Sequence, residues 1–144
     1  MSELNKTIVF LVDDDALYLK NIEIQFKQSN EFIIHTFPTG ELCIENLALQ
    51  PQFVVLDYHL NGIQATAMDG LKTLDKIKEI SPNIDVIMLS SQDKIEVAVN
   101  CMHHHALDYV VKSDSAFLRL QKIISEKKQL DKVKKELKWY MDKM

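Results

Sequence analysis

The chain has 144 residues, of which 47% are hydrophobic and 26% charged, as expected for one globular domain with a full core. Its net charge of −4 is uneven, because residues 126–144 hold seven lysines and four acidic residues while residues 1–125 carry the acidic excess. An acidic body disfavours nonspecific binding to nucleic acid, and no apolar run approaches the length of a membrane span. Cys43 and Cys101 suggest neither a metal pair nor a disulfide framework. We therefore expect reduced thiols and a cytoplasmic protein that binds neither nucleic acid nor membrane.

Strand and helix patterns alternate five times along the chain. Strands are predicted at 7–12, 32–36, 53–57, 84–89 and 107–111, and helices up to about residue 28, over 39–51, 69–80 and 94–103, and from about 114 onward. Among the helical apolar residues expected to face the core are Leu42, Cys43, Leu47, Leu49, Leu71, Leu74, Ile77, Ile80, Leu118, Leu120, Ile123 and Ile124. This alternation predicts an α/β fold: a doubly wound, five-stranded parallel sheet with right-handed crossovers and helices on both faces.

The third predicted strand is a short apolar run that ends in a carboxylate, Asp57. Four consecutive apolar residues indicate a strand buried on both faces, and ligands bind in the crevice beyond the carboxyl ends of such strands. The first strand runs into three acids at 13–15, the fourth runs into Ser90, and the fifth delivers Lys112. Side chains that follow different parallel strands are therefore predicted to form one site.

The chemistry of this set points to a magnesium-dependent phosphoryl transfer. Carboxylates held close together repel each other, and a hard divalent cation relieves that repulsion. Asp13, Asp14 and Asp57 supply carboxylates for Mg²⁺, which prefers oxygen ligands. Lys112 would neutralise one phosphoryl oxygen and Ser90 would donate a hydrogen bond to another.

Each of these residues also has an ordinary explanation. An acid after a strand often caps the next helix, which explains Asp15 by itself. Taken alone, Ser90 would be an ordinary serine in a loop, and Lys112 would be an ordinary lysine exposed to solvent. Their joint position at strand ends favours a site.

In these residues the chain resembles the response-regulator receiver domains of bacterial two-component signalling, the CheY-like family, over about residues 6–125. By this resemblance, Asp13 and Asp14 match the acidic pair, Asp57 the phosphoacceptor, Ser90 the hydroxyl position, Lys112 the lysine and Tyr109 the switch aromatic. The stretch Ala106-Leu107-Asp108-Tyr109-Val110-Val111-Lys112 is especially close to the family's pattern.

The resemblance implies a flavodoxin-like receiver fold with strand order 2-1-3-4-5. It also implies that a sensor histidine kinase or phosphotransfer protein donates a phosphoryl group to Asp57 with Mg²⁺, and that Ser90 and Tyr109 then reorient. The backbone carbonyl of His59 would join the metal ligands, and the side chains of His59 and Gln92 would tune attack by water. Such a domain is not an enzyme beyond its own phosphotransfer and slow dephosphorylation.

Three positions depart from the family's pattern. Asn61 stands where the family usually has a proline, and Ser113 replaces the proline that normally follows the lysine. Residues 63–67 look inserted before the family's Met-Asp-Gly, which is Met68-Asp69-Gly70 here. The small side chains in this region predict a mobile flap over 61–67 beside the phosphorylation site. These departures concern loop geometry and kinetics rather than the chemistry of Asp57.

Two other functions fit parts of the sequence. The acids at 13–15 after an apolar strand also match the start of haloacid-dehalogenase-like phosphatases, with Asp13 as the nucleophile, but that interpretation leaves Asp57 unexplained. Cys101, Met102 and the histidines at 103–105 suggest a zinc site. The alternative is a helix end, where histidines suit the negative end of the dipole.

The last segment, 126–144, is predicted to be a helical extension of a receiver domain that covers 1–125. Leu130, Val133, Leu137, Tyr140 and Met144 recur at spacings of three and four, the a/d rhythm of a coiled coil. This pattern predicts a linker that forms a homodimer, with the face of the fourth helix, fifth strand and fifth helix as an additional or alternative dimer surface. A single amphipathic helix folded back on its own domain is the other interpretation.

Overall fold

The computed structural model describes residues 6–60 and 68–144. Strands Thr7–Val12 (β1), Phe32–Phe37 (β2), Phe53–Asp57 (β3), Asp85–Ser90 (β4) and Asp108–Val111 (β5) form one parallel sheet in the order β2-β1-β3-β4-β5. The helices are Ala16–Lys27 (α1), Gly40–Glu45 (α2), Gly70–Ile80 (α3), Ile95–His103 (α4) and Ala116–Lys143 (α5). The predicted fold class and strand order are confirmed. The predicted flap at 61–67 lies outside the described residues.

The register of the sheet brings the predicted site residues to one edge. Asp57 lies opposite Leu89 on β4, so Ser90 is one residue further along that strand. Val12, the last residue of β1, lies opposite Leu56, so Asp13 leaves its strand level with Asp57. Parallel strands all end on the same side, and this edge therefore collects the acids, the serine and the lysine.

Apolar side chains cover both faces of the sheet. One cluster joins alternate strand residues such as Phe10 and Met88 to α2, α3 and α4. The other joins Leu11 and Val55 to α1 and α5. Since a strand alternates its side chains between faces, two buried faces need the nearly continuous apolar strands seen here. The described residues include no helix that is long and apolar enough to cross a membrane.

Four apolar helix residues that were predicted to face the core are exposed: Leu42, Leu49, Ile80 and Leu118. The helix predicted over 39–51 is shorter, because α2 ends at Glu45 and a separate 3₁₀ turn covers Leu47–Leu49. On α3, three steps of three residues rotate Ile80 to the side opposite Leu71. On α5, Leu118 lies between the buried Ala116 and Leu120, and residues two apart point to opposite sides of a helix.

The end of α4 accounts for part of the Cys-His run. His105 has a left-handed backbone, with φ of 72°. Its N–H donates to the Met102 carbonyl (3.0 Å), and the Ala106 N–H donates to the Cys101 carbonyl (3.1 Å), which is the Schellman pattern of helix ends. His104 Nδ1 lies 2.7 Å from Asp75 Oδ1 on α3. The backbone hydrogen bonds at 105 and 106 and the contact of His104 therefore support the helix-end interpretation.

Helix α5 continues without a break across the boundary predicted at residue 125. Lys127 Nζ lies 3.3 Å from Asp85 Oδ2 at the start of β4 and 2.9 Å from Asp131 Oδ1. Further along, Leu130, Val133, Leu137 and Tyr140 are 47%, 47%, 58% and 63% exposed. The helix is thus tied to the domain near Lys127 and exposes its apolar residues beyond that point.

Candidate functional site

Three carboxylates cluster at the carboxyl edge of the sheet. One oxygen from each of Asp13, Asp14 and Asp57 lies within 4.8 Å of the others. Asp13 and Asp57 are only 3% and 4% exposed, whereas Asp14 is half-buried. Hard carboxylate oxygens at this spacing are the ligands that Mg²⁺ prefers. Among the residues that the structure describes, this is the one group of three or more Asp, Glu, His or Cys side chains placed for a shared metal, so the zinc interpretation gains no support.

The third acid of the run has a structural role. The side chain of Asp15 caps α1, because Oδ1 accepts the N–H groups of Leu17 and Tyr18, both at 3.1 Å. The N–H of Asp15 in turn donates to Asp13 Oδ1 at 2.9 Å. The predicted cap is confirmed, and it links the start of α1 to the carboxylate of Asp13.

Lys112 reaches the acids from the end of β5. Its Nζ lies 2.8 Å from Asp13 Oδ2 and 3.5 Å from Asp57 Oδ1. Its backbone N–H donates to the Ser90 carbonyl at 2.7 Å, which fixes the chain just before the side chain departs. A half-buried cation between two buried carboxylates is well placed to contact a group transferred to either of them.

Burial and repulsion shift the titration of these groups. Burial, followed by the neighbouring charge of Asp13, raises the pKa of Asp57 to about 7, although Lys112 opposes the shift. Burial by itself lowers the pKa of Lys112, but contacts with the carboxylates of Asp13 and Asp57 outweigh it, so the net shift is upward. Lys112 therefore stays charged at neutral pH, while the raised pKa of Asp57 favours its protonated form more than in a free carboxyl group.

Ser90 and Tyr109 meet at the backbone of one residue, Gln92. The hydroxyl of Ser90, which is fully buried, accepts the Gln92 N–H at 3.0 Å. The hydroxyl of Tyr109 donates to the Gln92 carbonyl at 2.6 Å. The backbone of Gln92 therefore connects the hydroxyl groups of Ser90 and Tyr109.

The residues that were expected to adjust water access lie beside the acids. The N–H of His59 donates to Asp57 Oδ1 at a long 3.4 Å, and the His59 side chain is exposed. Gln92 is half-buried and follows Ser90 by two residues. The role of these two side chains in water access stays a prediction.

Sequence reasoning missed Tyr18. Its ring lies under the ammonium of Lys112, with Nζ 4.4 Å from the ring centroid. The available signal was weak, namely an aromatic residue in the first turn of the helix that follows the acids.

The fold, the cluster of acids with a lysine, and a serine at the same edge of the sheet are those of a receiver-type signalling domain. The family model of the response regulator receiver domain matches residues 9–125, and the chain belongs to that family. Members of this family are signalling domains, and the comparison does not favour a phosphatase.

Curated relatives are longer proteins. The chain is 25% identical over 126 residues to the transcriptional regulatory protein ZraR of Escherichia coli K12, covering 85% of this chain and 27% of that protein. It is 31% identical over 119 residues to a protein-glutamate methylesterase/protein-glutamine glutaminase of Bacillus licheniformis, covering 78% of this chain and 32% of that protein. The chain thus spans roughly a quarter to a third of the length of these two relatives.

Solved structures agree on the fold. CheY in the CheX-CheY-BeF3-Mg complex of Borrelia burgdorferi is 28% identical, with a TM-score of 0.70 over 83% of this chain and 87% of that one. The receiver domain of a putative LuxO repressor protein from Vibrio parahaemolyticus is 23% identical, with a TM-score of 0.77 over 92% and 97% of the two chains. At 23% identity, the similarity to the LuxO receiver domain concerns the fold alone.

Proposed function

We propose that Asp57 accepts a phosphoryl group from the phosphohistidine of a sensor histidine kinase or a phosphotransfer protein, and that the reaction requires Mg²⁺. The observation that carries this proposal is the position of the Asp57 carboxylate, which lies beside Lys112 and within one oxygen cluster with Asp13 and Asp14. Its pKa, raised to about 7 by burial and by Asp13, indicates that added positive charge would favour the ionised nucleophile.

In the proposed reaction, a carboxylate oxygen of Asp57 attacks phosphorus as the bond from phosphorus to the histidine nitrogen breaks. The nitrogen keeps that electron pair, and Asp57 becomes an acyl phosphate. Lys112 lies close enough to Asp57 to contact the phosphoryl oxygens. Asp13, Asp14, Asp57 and the His59 carbonyl would hold Mg²⁺, which supplies charge neutralisation at the transferred group.

The proposed output runs through Gln92. Ser90 would turn its hydroxyl toward the phosphoryl group and thereby disturb its contact with the Gln92 N–H. The Gln92 carbonyl holds the Tyr109 hydroxyl, so Tyr109 would respond. The side chains of His59 and Gln92 would control the access of water to the acyl phosphate.

The phosphatase alternative requires Asp13 as the nucleophile. Both of its carboxylate oxygens are engaged, since Oδ1 accepts the Asp15 N–H and Oδ2 pairs with Lys112. The contacts of Asp57 are longer, at 3.4 Å to the His59 N–H and 3.5 Å to Lys112. This difference supports Asp57 as the reacting group.

We further propose that residues 126–144 form a linker that pairs with a second copy of the chain. The contact of Lys127 with Asp85 fixes which side of α5 faces the domain. At roughly 100° per residue, Val133, Leu137 and Tyr140 lie about 80–140° around the helix from Lys127, so none of them lies on the side that contacts Asp85. This direction disfavours the folded-back alternative. A second exposed apolar row on α4, made of Ile95, Val99 and Met102, supports the alternative dimer surface.

The phosphoacceptor proposal is tested by incubating the full chain with acetyl phosphate and Mg²⁺ and mapping the modified residue by mass spectrometry. Asp57→Asn is expected to abolish the modification, and excess chelator is expected to abolish it in the unsubstituted chain. Label that persists in Asp57→Asn and disappears in Asp13→Asn would support the phosphatase instead.

A further inference from the structure

The ammonium group of Lys112 is held from two sides. One contact is the ion pair with Asp13 Oδ2 at 2.8 Å, and the other is the ring of Tyr18, whose centroid lies 4.4 Å from Nζ. The lysine side chain is only 17% exposed. The flexible side chain of Lys112 is thus fixed at its charged end by Asp13, which follows β1, and by Tyr18 in α1.

Tyr18 is itself fixed by the acidic run. Its N–H donates to the Asp15 carboxylate, and the Asp15 N–H donates to the Asp13 carboxylate. The residue is half-buried against the core cluster beneath α1 and α5. Its hydroxyl is buried without a hydrogen-bond partner among the described residues. The face of the ring, rather than the hydroxyl, therefore makes the contact with Lys112.

The two contacts would respond differently when the site is in use. The carboxylate of Asp13 belongs to the proposed metal cluster, so its charge would be shared between a cation and Lys112. The ring face of Tyr18 carries no net charge and has no such competitor. An attraction between a cation and a ring face strengthens as water is removed from around the cation, and the side chain of Lys112 is only partly exposed.

We propose that Tyr18 is a positioning residue whose ring holds the Lys112 ammonium beside Asp57, so that the cation is already in place when a phosphoryl group arrives. The proposal rests on the function of Asp57 proposed above. The competing explanation is that Tyr18 only fills space in the core, in which case replacing it changes stability and nothing else.

The first test compares Tyr18→Leu, which keeps an apolar side chain, with Tyr18→Phe, which keeps the ring. The initial rate of Asp57 phosphorylation is measured against acetyl phosphate concentration with saturating Mg²⁺. Tyr18→Leu is expected to lose about five- to thirtyfold in the limiting rate, the equivalent of roughly 1–2 kcal/mol of cation–π attraction. Tyr18→Phe is expected to stay within about twofold of the unsubstituted chain. Equal losses in the two variants would overturn the proposal.

The second test is a double-mutant cycle with Lys112→Met. If the ring acts through the ammonium, Tyr18→Leu causes no further loss of rate once Lys112 is replaced. An undiminished loss in that background would overturn the proposal. Leu19→Ala is the matched control, because Leu19 lies on the same helix and packs against the same core cluster. It is expected to lower stability and leave the phosphorylation rate unchanged.

The third test needs neither metal nor phosphodonor. Acetylation of Lys112 by limiting acetic anhydride is followed by mass spectrometry in the metal-free protein, and it is expected to be several-fold faster in Tyr18→Leu than in Tyr18→Phe. If Tyr18→Leu matches the unsubstituted chain in both acetylation and phosphorylation, the positioning role is overturned and the function of Asp57 stands. If the unsubstituted chain is never phosphorylated at Asp57, the proposed function fails, and the acetylation rates still decide whether Tyr18 holds Lys112.

Discussion

Gly70 packs directly against the backbone carbonyl of Asp57. A Cβ on Gly70 would clash with that oxygen and would lie 2.6 Å from the carbonyl oxygen of Tyr58. The Gly70 N–H donates to the same Tyr58 carbonyl at 3.1 Å. The first residue of α3 therefore supports the backbone of the proposed phosphoacceptor, and this close approach is possible only without a side chain.

We predict that Gly70→Ala destabilises the protein and also slows phosphorylation of Asp57. The clash is with backbone atoms, so relief requires α3 or the chain after Asp57 to move, at a cost of roughly 1–3 kcal/mol. Urea unfolding measures the stability, and acetyl phosphate labelling measures the rate. Gly40→Ala is the matched control, because its Cβ would clash with the side chain of Thr73 on α3. It should destabilise the protein without slowing phosphorylation, and equal slowing in both variants would show that any loss of stability affects the site.

The raised pKa of Asp57 predicts how stability depends on pH in the absence of metal. The folded pKa is about 7 against an ordinary value of 3.8, so between these values the folded protein binds more protons than the unfolded chain. The contribution of this group is therefore fully present below about pH 4 and is lost as pH rises through about 7. In excess chelator, the free energy of unfolding of Asp57→Asn should fall less between pH 5 and pH 8 than that of the unsubstituted chain.

Asp93→Asn is the control for this experiment, because Asp93 is exposed. It should leave the pH dependence unchanged. Added Mg²⁺ should restore stability to the unsubstituted chain at pH 8, since positive charge offsets the buried carboxylates. If the free energy of unfolding changes with pH in the same way for Asp57→Asn and the unsubstituted chain, the raised pKa of Asp57 is contradicted.

The fold and the meeting of the acids and the lysine at one edge of the sheet could be predicted from sequence, because they depend on strong local signals. A run such as 53–56 is apolar enough to predict a strand that is buried on both faces. A residue that directly follows a parallel strand must lie at the carboxyl edge of the sheet, so its position can be predicted as well. Leu118 and Ile80 were placed wrongly, because an apolar residue on a helix does not by itself say which side the core takes. Tyr18 was missed for a different reason. Its contact with Lys112 joins α1 to the end of β5, and no local pattern encodes that distance.

The left-handed backbone of His105 predicts a stabilising substitution. A residue with a Cβ is strained at φ of 72°, whereas glycine adopts this conformation readily. His105→Gly should therefore raise the free energy of unfolding by roughly 0.5–1 kcal/mol, measured by urea denaturation. His103→Gly is the matched control. His103 is the last residue of α4, where glycine should be destabilising by up to about 1 kcal/mol. A loss of stability in both variants would mean that the His105 side chain contributes more than its backbone strain costs.

The tail provides the last prediction, which concerns assembly. Leu137 is 58% exposed at the centre of the a/d row, about 80° around α5 from Lys127, whose side chain contacts the domain. If two copies pair along this row, a charge at this position would be buried without a partner, and Leu137→Lys should dissociate the dimer. Sedimentation equilibrium should show the full chain dimerising at or below about 100 μM, an affinity of roughly −5.5 kcal/mol. Lys135→Glu, which changes a charge on a different side of the helix, should leave the association intact. A full chain that stays monomeric at this concentration, with and without phosphorylation, would exclude pairing through the tail. A dimer that survives Leu137→Lys would place the interface elsewhere, such as on the exposed row of α4.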